Sequence, residues 1–214
     1  PAYCGDEILC HCMALKRRDV NPMLSGKRRQ DVDKIMNWTG GGTVCSSCRP
    51  LFYEMVGESV WQNVELTEIE SLASNIKSFR FESKEPFAPA QAGQHILLQG
   101  YVNDRWEQRS YTITSAGEEQ KYRGVIVKKY SDGVFSNWLH SLNISGNNFF
   151  RISLPLGNEV PNLVRNQPLV CFVAGIGVTP AISFVRTILE QSRRPFRKLL
   201  IDYTTNNANQ IICH

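Results

Sequence analysis

The chain has 214 residues, with 24 Lys and Arg against 20 Asp and Glu and a net charge of +4. Hydrophobic residues make up 42% and charged residues 21%, the ordinary balance of a soluble globular protein. No apolar run approaches the ~20 residues needed to span a bilayer. The longest, around Leu169 to Val178, is about half of that length, so no membrane segment is expected. No apolar stretch precedes Cys4, so no signal peptide is expected either. Two basic triplets, Lys16-Arg17-Arg18 and Lys27-Arg28-Arg29, lie close to Asp19, Asp31 and Asp33. That mixture reads as a solvated helix face rather than a nucleic-acid patch; a docking surface for an acidic redox partner is the other reading. The chain starts at Pro1 rather than Met and stops at His214 just after a strand-like segment, as a fragment of a longer polypeptide would.

Seven cysteines are present, and four fall in two tight pairs, Cys10-x-Cys12 and Cys45-x-x-Cys48. An odd, clustered set suits a metal site in a reducing compartment such as the cytoplasm better than a disulfide framework. A short loop can present two thiolates together, and the long interval brings a second loop to the other side. Four thiolates suit either tetrahedral zinc or a [2Fe–2S] cluster. Cys4, Cys171 and Cys213 have no paired neighbour and read as small hydrophobes. His11 sits inside the first pair, but four cysteines already fill a site. Between the pairs, Val32, Ile35 and Met36 have helical spacing over Asp31 to Trp38. Thr39-Gly40-Gly41-Gly42-Thr43 stops that helix. A short helix follows from Cys48 to Met55, with Pro50 in its first turn and its N–H groups facing anionic sulfur.

The C-x-C spacing, the Thr39 to Thr43 segment and the helix after Cys48 resemble the bacterioferritin-associated-ferredoxin type of [2Fe–2S] domain, over about Tyr3 to Met55. The resemblance implies Cys10, Cys12, Cys45 and Cys48 as the cluster ligands. It also marks one departure: Ser46 stands where glycine is usual, which alters a hydrogen bond near sulfur and with it the reduction potential.

Gly57 to Asn63 separates this module from a strand-rich middle. Short β-prone runs follow at Val64 to Thr67, Lys77 to Phe81, His95 to Leu98, Ser110 to Thr114 and Gly124 to Lys128. Pro86, Pro89, Gly93, Gly100 and Gly117 punctuate them, as in a small antiparallel barrel. Phe135 to Leu142 is the one good helix here. In Arg109-Ser110-Tyr111-Thr112-Ile113-Thr114-Ser115, alternation places Arg109, Tyr111, Ile113 and Ser115 on one face and Ser110, Thr112 and Thr114 on the other. An edge strand accounts for this segment with no function. Equally, Arg109 offers a planar fork for phosphate, Tyr111 a ring to stack on a flavin, and the hydroxyls partners for ring nitrogens. Lys128-Lys129-Tyr130 then leads to Gly133-Val134-Phe135-Ser136, where a glycine and a serine at a helix start can seat phosphate.

Ala92-Gly93-Gln94-His95, then Arg-x-Tyr-Thr-x-x-Ser, then Gly-x-x-Ser, in this order, resemble the ferredoxin-reductase family of FAD-binding barrels, over about Val64 to Val160. The resemblance implies Arg109 and Ser136 near the pyrophosphate and Tyr111 and Thr112 at the flavin ring. Ser110, Lys128, Gly133 and Val134 complete the expected FAD seat.

Pro168 to Ala174 is a continuous apolar run, as expected of a buried parallel strand. Gly175-Ile176-Gly177-Val178-Thr179-Pro180 follows, then a helical pattern to Glu190 and a second strand over Lys198 to Tyr203. Strand, glycine turn, helix and strand begin a nucleotide-binding α/β unit. The glycine segment resembles the NAD(P) loop of the same reductases. That implies Gly175, Gly177, Thr179 and Pro180 as nicotinamide-nucleotide residues, with Thr179 close to where nicotinamide meets flavin.

The expected architecture is multidomain α+β: a small helical [2Fe–2S] module at 1–58, an antiparallel β-barrel FAD domain at 62–162, and the start of an α/β NAD(P)-binding domain at 163–214. The expected activity is electron transfer from NAD(P)H through FAD to the cluster, then to a partner protein or a fused terminal reductase. Assimilatory nitrate or nitrite systems are one analogy for that last step. No side chain is assigned as an acid or base. The alternative is a zinc- or cluster-bearing interaction or sensor module with a degenerate flavin barrel.

Overall fold

The computed structural model of the chain describes residues 7–115, 121–146, 148–157, 168–190 and 199–212. The expectations for Cys4, Gly117 and Cys213 lie outside the described residues. Its contacts divide the chain into two compact units, Pro1–Trp61 and Gln62–His214.

The first unit opens with a hairpin of β1 (Ile8–Cys10) and β2 (Leu15–Lys16), followed by α1 (Arg17–Leu24), α2 (Arg29–Thr39) and α3 (Arg49–Glu54). Each of the first two helices starts with an aspartate that accepts the N-cap backbone N–H: Asp19 from Lys16 and Asp31 from Arg28, both at 3.3 Å. Leu9, Val20, Leu24, Val32, Met36 and Phe52 form the buried interior. Lys27, Arg28 and Arg29 are exposed, whereas Lys16 and Arg17 are half-buried; Arg17 pairs with Glu7 and Arg29 with Glu58. Gly40 ends α2 at φ +75°, a conformation that favours glycine. Gly41 is fixed for a different reason. A Cβ there would lie 2.3 Å from Cζ of fully buried Phe52. Gly41→Ala is therefore expected to destabilise this unit by about 1–3 kcal/mol, the usual cost of overpacking, read as a lower denaturant midpoint at unchanged slope.

The second unit is built on a six-stranded sheet: β3 (Trp61–Ala73), β4 (Ile76–Glu82), β5 (His95–Val102), β6 (Arg105–Thr112), β7 (Tyr122–Lys128) and β8 (Phe150–Ser153). Its order is β6-β5-β8-β3-β4-β7. β5 and β6 pair from His95↔Thr112 to Val102↔Arg105. The intervening Asn103 and Asp104 both have positive φ, as a tight two-residue hairpin requires. The two ends of the order meet where the Thr114 N–H donates to the Gly124 carbonyl at 2.8 Å, beside the end of β6 and within β7. This contact closes the sheet toward a barrel. Phe79, Phe81, Ile96, Leu98, Ile113, Val125, Val127, Phe150 and Ile152 fill it. Helix α4 (Val134–Ser141) adds Phe135 and Leu139 to that core.

Two expectations need correction. The run Ser110 to Thr114 is not all strand: β6 ends at Thr112, and burial along it runs in pairs rather than alternating. Ile113, Thr114 and Ser115 are all buried. The chain leaves the ladder here to bond in two directions: the Ile113 N–H donates to the Gln94 carbonyl, while the Thr114 N–H donates to the Gly124 carbonyl and the Ser115 hydroxyl accepts from the Gly124 N–H. Backbone pairing on both sides takes precedence over the simple two-residue period.

The apolar run forms β9 (Leu169–Ala174), parallel to β10 (Leu199–Thr204) as expected. It is not buried on both faces. Among the described residues Val170, Phe172 and Leu200 are exposed, Phe172 by 78%. No described element covers that face. A short 3₁₀ turn (Gly175–Val178) replaces an open glycine loop and runs directly into α5 (Thr179–Glu190).

Candidate functional site

In the second unit, the end of β6, β7, the start of α4 and the start of α5 surround one cavity of about 510 Å³. Arg109, Ser110, Tyr111 and Thr112 form one wall. Lys128, Gly133 and Ser136 form a second, and Gly177, Thr179 and Pro180 a third. Three segments far apart in sequence therefore meet at one space. Val134 and Gly175 flank it without lining it. Val134 is the exposed first residue of α4, and Gly175 turns the chain at φ +51°.

Sequence reasoning missed four wall residues: Ile126, Tyr130, Phe135 and Ile176. Phe135 is the informative one. Its ring stacks on Tyr111 with centroids 6.4 Å apart and planes at 22°. The Phe135 ring packs against the Tyr111 ring within the same cavity wall, which holds Tyr111 in place. The helical pattern placed Phe135 on the buried face of α4, but nothing local linked it to Tyr111. Burial pushes the Tyr111 phenol above its ordinary range, so it stays neutral.

Polar groups are set at three points. The half-exposed Arg109 guanidinium lies 3.3 Å from Glu107, which also holds Arg105 at 2.6 Å. Ser136 donates to the Gly133 carbonyl and accepts from the Tyr130 N–H. A Cβ on Gly133 would lie 2.3 Å from the Ser136 hydroxyl, so the glycine keeps that hydroxyl at the helix start. The Thr179 hydroxyl lies 3.2 Å from both the Thr112 hydroxyl and the Ile176 carbonyl. With one proton it donates to one of them at a time. The Arg186 guanidinium donates to the Thr114 carbonyl at 2.9 Å, and the Gly93 N–H donates to the buried Ser183 hydroxyl. These bonds tie α5 to the barrel beside the cavity. Lys128 donates to Gln210 at 2.9 Å.

Residues 63–159 match the family model described as an oxidoreductase FAD-binding domain. This segment is similar to the FAD-binding domains of oxidoreductases. NADH-cytochrome b5 reductase 2 of Emericella nidulans is 33% identical to the chain over 141 residues, 63% of the chain and 42% of that protein. The flavohemoprotein of Bacillus subtilis is 32% identical over 129 residues, 59% of the chain and 31% of that protein. The chain thus spans less than half the length of these curated relatives. Among solved structures, phthalate dioxygenase reductase superposes with a TM-score of 0.58 at 22% identity, over 71% of this chain and 46% of that one. The cytochrome b5 reductase domain of Ulva prolifera nitrate reductase gives 0.59 at 22%, over 72% and 65%. These two likenesses are likenesses of fold.

The cavity in this segment fits FAD on local grounds. The cavity combines an aromatic face at Tyr111, a guanidinium at its edge, and a glycine and serine at the start of an eight-residue helix. Beside Gly177, no atom lies within 4 Å of where a Cβ would stand, so a ligand can approach that backbone. Ser136→Ala is expected to weaken FAD binding by about two- to tenfold, one neutral hydrogen bond, in a flavin-fluorescence titration.

In the first unit the four thiols meet crosswise. The Cys12 thiol donates to the Cys45 sulfur at 3.4 Å, and Cys10 interacts with Cys48. Each contact joins one member of C-x-C to one member of C-x-x-C. Cys10 and Cys48 are buried, 2% and 8% exposed; Cys12 and Cys45 are exposed. Burial works to raise the Cys10 thiol, but N–H groups of Gly42, Met13 and Cys12 outweigh it and hold it below its usual value. Burial and the neighbouring Cys10 push Cys48 up to about 12. The Ser47 N–H lowers Cys45, and the bond with Cys45 raises Cys12. Among the described residues no three His, Cys, Asp or Glu side chains converge on one point as a single ion would need. Ser46 has φ +62°, in the left-handed region, which gives a backbone reason for glycine at this position.

Proposed function

We propose that the chain is an electron-transfer module, taking electrons from NAD(P)H through FAD to a [2Fe–2S] cluster and on to a redox partner protein or a fused terminal reductase. The three parts are 1–58 for the cluster, 62–162 for FAD and 163–214 for the nicotinamide nucleotide. The observation that carries this reading is the convergence of the Arg109–Thr112 wall, the Gly133–Ser136 helix start and the Gly177–Pro180 segment on one cavity.

When bound, FAD accepts a hydride and gives up electrons singly, while a [2Fe–2S] cluster carries one at a time. The side chains bind and orient. Arg109 and Ser136 hold phosphate oxygens, with the N-terminus of α4 adding its dipole. Tyr111, held by Phe135, fixes the flavin ring. Thr112 and Thr179, in mutual hydrogen-bond reach, stand where the flavin and nicotinamide sites meet. Gly175, Gly177 and Pro180 shape the nucleotide turn ahead of α5. Val134 contributes its backbone at the helix start, and Ser110 and Lys128 line the cavity. No step calls for a side-chain acid or base.

Cys10, Cys12, Cys45 and Cys48 would hold the cluster. Backbone N–H groups that already hold Cys10 and Cys45 low favour anionic sulfur. Thiols that must stay reduced suit the cytoplasm. The terminal acceptor is a protein-borne redox centre; nitrate or nitrite reduction is a fold-level analogy for it.

The test is anaerobic mixing of the whole, FAD-loaded protein with NADH or NADPH. Bleaching of the flavin band by one of them is expected. A flavin reducible by dithionite but by neither nucleotide would contradict the hydride step.

A further inference from the structure

Helix α5 carries three polar side chains on one face, and each bonds to a segment of the barrel beside the cavity. Thr179, Ser183 and Arg186 are spaced i, i+4 and i+7, which puts them in one stripe along the helix. The Thr179 hydroxyl lies 3.2 Å from the Thr112 hydroxyl, and the Ser183 hydroxyl accepts the Gly93 N–H at 3.3 Å. The Arg186 guanidinium donates to the Thr114 carbonyl at 2.9 Å. Thr179 lines the cavity and Arg186 does not. Resting on the hydride step above, we propose that Arg186 is a positioning residue for that step: through the Thr114 carbonyl it holds α5, and Thr179 at its start, against the Thr112 wall of the cavity.

The barrel side of this contact is well fixed. Thr114 is buried, and its N–H already donates to the Gly124 carbonyl of β7 at 2.8 Å. The Ile113 N–H donates at 2.9 Å to the carbonyl of Gln94, the residue after Gly93. The two main-chain points that α5 grips are therefore tied to each other as well as to the sheet. On the helix side, Ser183 is fully buried and serves as the pivot. Thr179 stands one turn before it and Arg186 almost one turn after it. Four residues of helix span roughly 6 Å, so a tilt of about 10° about Ser183 moves Thr179 by roughly 1 Å. At a reacting centre a displacement of about 1 Å can cost about 100-fold in rate. Of the three contacts, the one from Arg186 is charge-assisted, and it acts on the opposite arm of the lever from Thr179.

Arg186 is exposed, so its replacement opens no cavity in the interior. What its loss removes is the restraint on the angle of α5. The phosphate seat at Gly133 and Ser136 belongs to α4 and does not depend on that angle, so the effect falls on the approach of nicotinamide to flavin rather than on FAD binding.

The experiment compares wild type, Arg186→Met and Arg186→Lys in the whole, FAD-loaded protein. Methionine keeps an apolar stem and loses the donors, while lysine keeps a charged donor. Flavin reduction by whichever of NADH or NADPH bleaches the wild type is followed by stopped flow. In Arg186→Met it is expected to be about 10- to 100-fold slower at saturating nucleotide, with less than about a threefold change in the half-saturating concentration and unchanged FAD affinity. Arg186→Lys is expected to recover part of the rate. A second readout needs no turnover. In nucleotide-free protein with labelled threonine methyls, the nuclear Overhauser effect between Thr112 and Thr179 is expected to weaken in Arg186→Met and to persist in Arg186→Lys. An unchanged reduction rate in Arg186→Met overturns the proposal, and so does a slower rate with an unchanged Overhauser effect. A fall in FAD affinity in step with the rate also overturns it, because Arg186 would then brace the barrel rather than aim α5. A wild-type flavin that neither nucleotide reduces removes the hydride step and the proposal with it, a result distinct from an unaffected variant of a reducible wild type. Arg186→Gln gives the same comparison if Arg186→Met does not fold.

Discussion

Arg109→Ala is expected to weaken FAD binding by about 10- to 100-fold, which corresponds to losing a charge-assisted hydrogen-bond pair of about 1.5–3 kcal/mol. The guanidinium is half exposed at the cavity wall. Its partner Glu107 is only 13% exposed and is itself held by Arg105, so removing Arg109 does not leave that carboxylate unpaired. The loss therefore falls on the ligand rather than on folding. Arg109→Lys is the control. It keeps the charge but lacks the planar fork, and it is expected to recover only part of the affinity. Flavin release on dilution, followed by fluorescence, measures all three proteins. Affinity equal to wild type in Arg109→Ala would place the phosphates elsewhere.

The largest stability effect is expected from Phe81→Ala, a loss of about 3–5 kcal/mol. Phe81 is fully buried near the end of β4, and its ring meets Phe150 edge-on with centroids 5.1 Å apart. β4 pairs with β3 on one side and β7 on the other, so the ring stands between strands that neighbouring elements hold in place. Such a site collapses poorly around a cavity. Urea unfolding should show a lower midpoint for the transition of the second unit. An unchanged midpoint would mean that this aromatic centre contributes little. Because Phe81 does not line the FAD cavity, folded Phe81→Ala protein at low temperature should still bind flavin.

How the sequence relates to these sites is uneven. Helix α2 of the first unit was legible because local signals agree: Val32, Ile35 and Met36 at helical spacing, and glycine directly after Thr39; α1 was not read as a helix. The α4 pattern was legible for the same reason. The end of the central strand was not. Alternation is a local rule, and what ends the strand at Thr112 is bonding to Gln94 and Gly124, two segments on opposite sides in sequence. The β5–β6 hairpin had a readable signal that was missed, the turn-prone pair Asn103-Asp104. The apolar run of β9 suggested burial on both faces, but coverage depends on other elements rather than on the strand itself.

The functional residues show the same division. Residue type and order pointed to Arg109, Tyr111, Thr112, Gly133, Ser136 and Thr179 as one set, and the fold brings them around one space. The contact of Phe135 with Tyr111 depends on how α4 packs and had no local mark. The crosswise thiol contacts were likewise hidden, because close spacing along the chain suggests that Cys10 and Cys12 act as a pair. Their loop instead aims each sulfur at a different member of Cys45 and Cys48.

The most direct measurement is the visible absorption of the purified protein, taken together with its flavin, iron, sulfide and zinc content. Bound flavin with iron and sulfide in equal amounts is the expected result. Colourless protein that carries zinc on its cysteines and no flavin would contradict the electron-transfer reading.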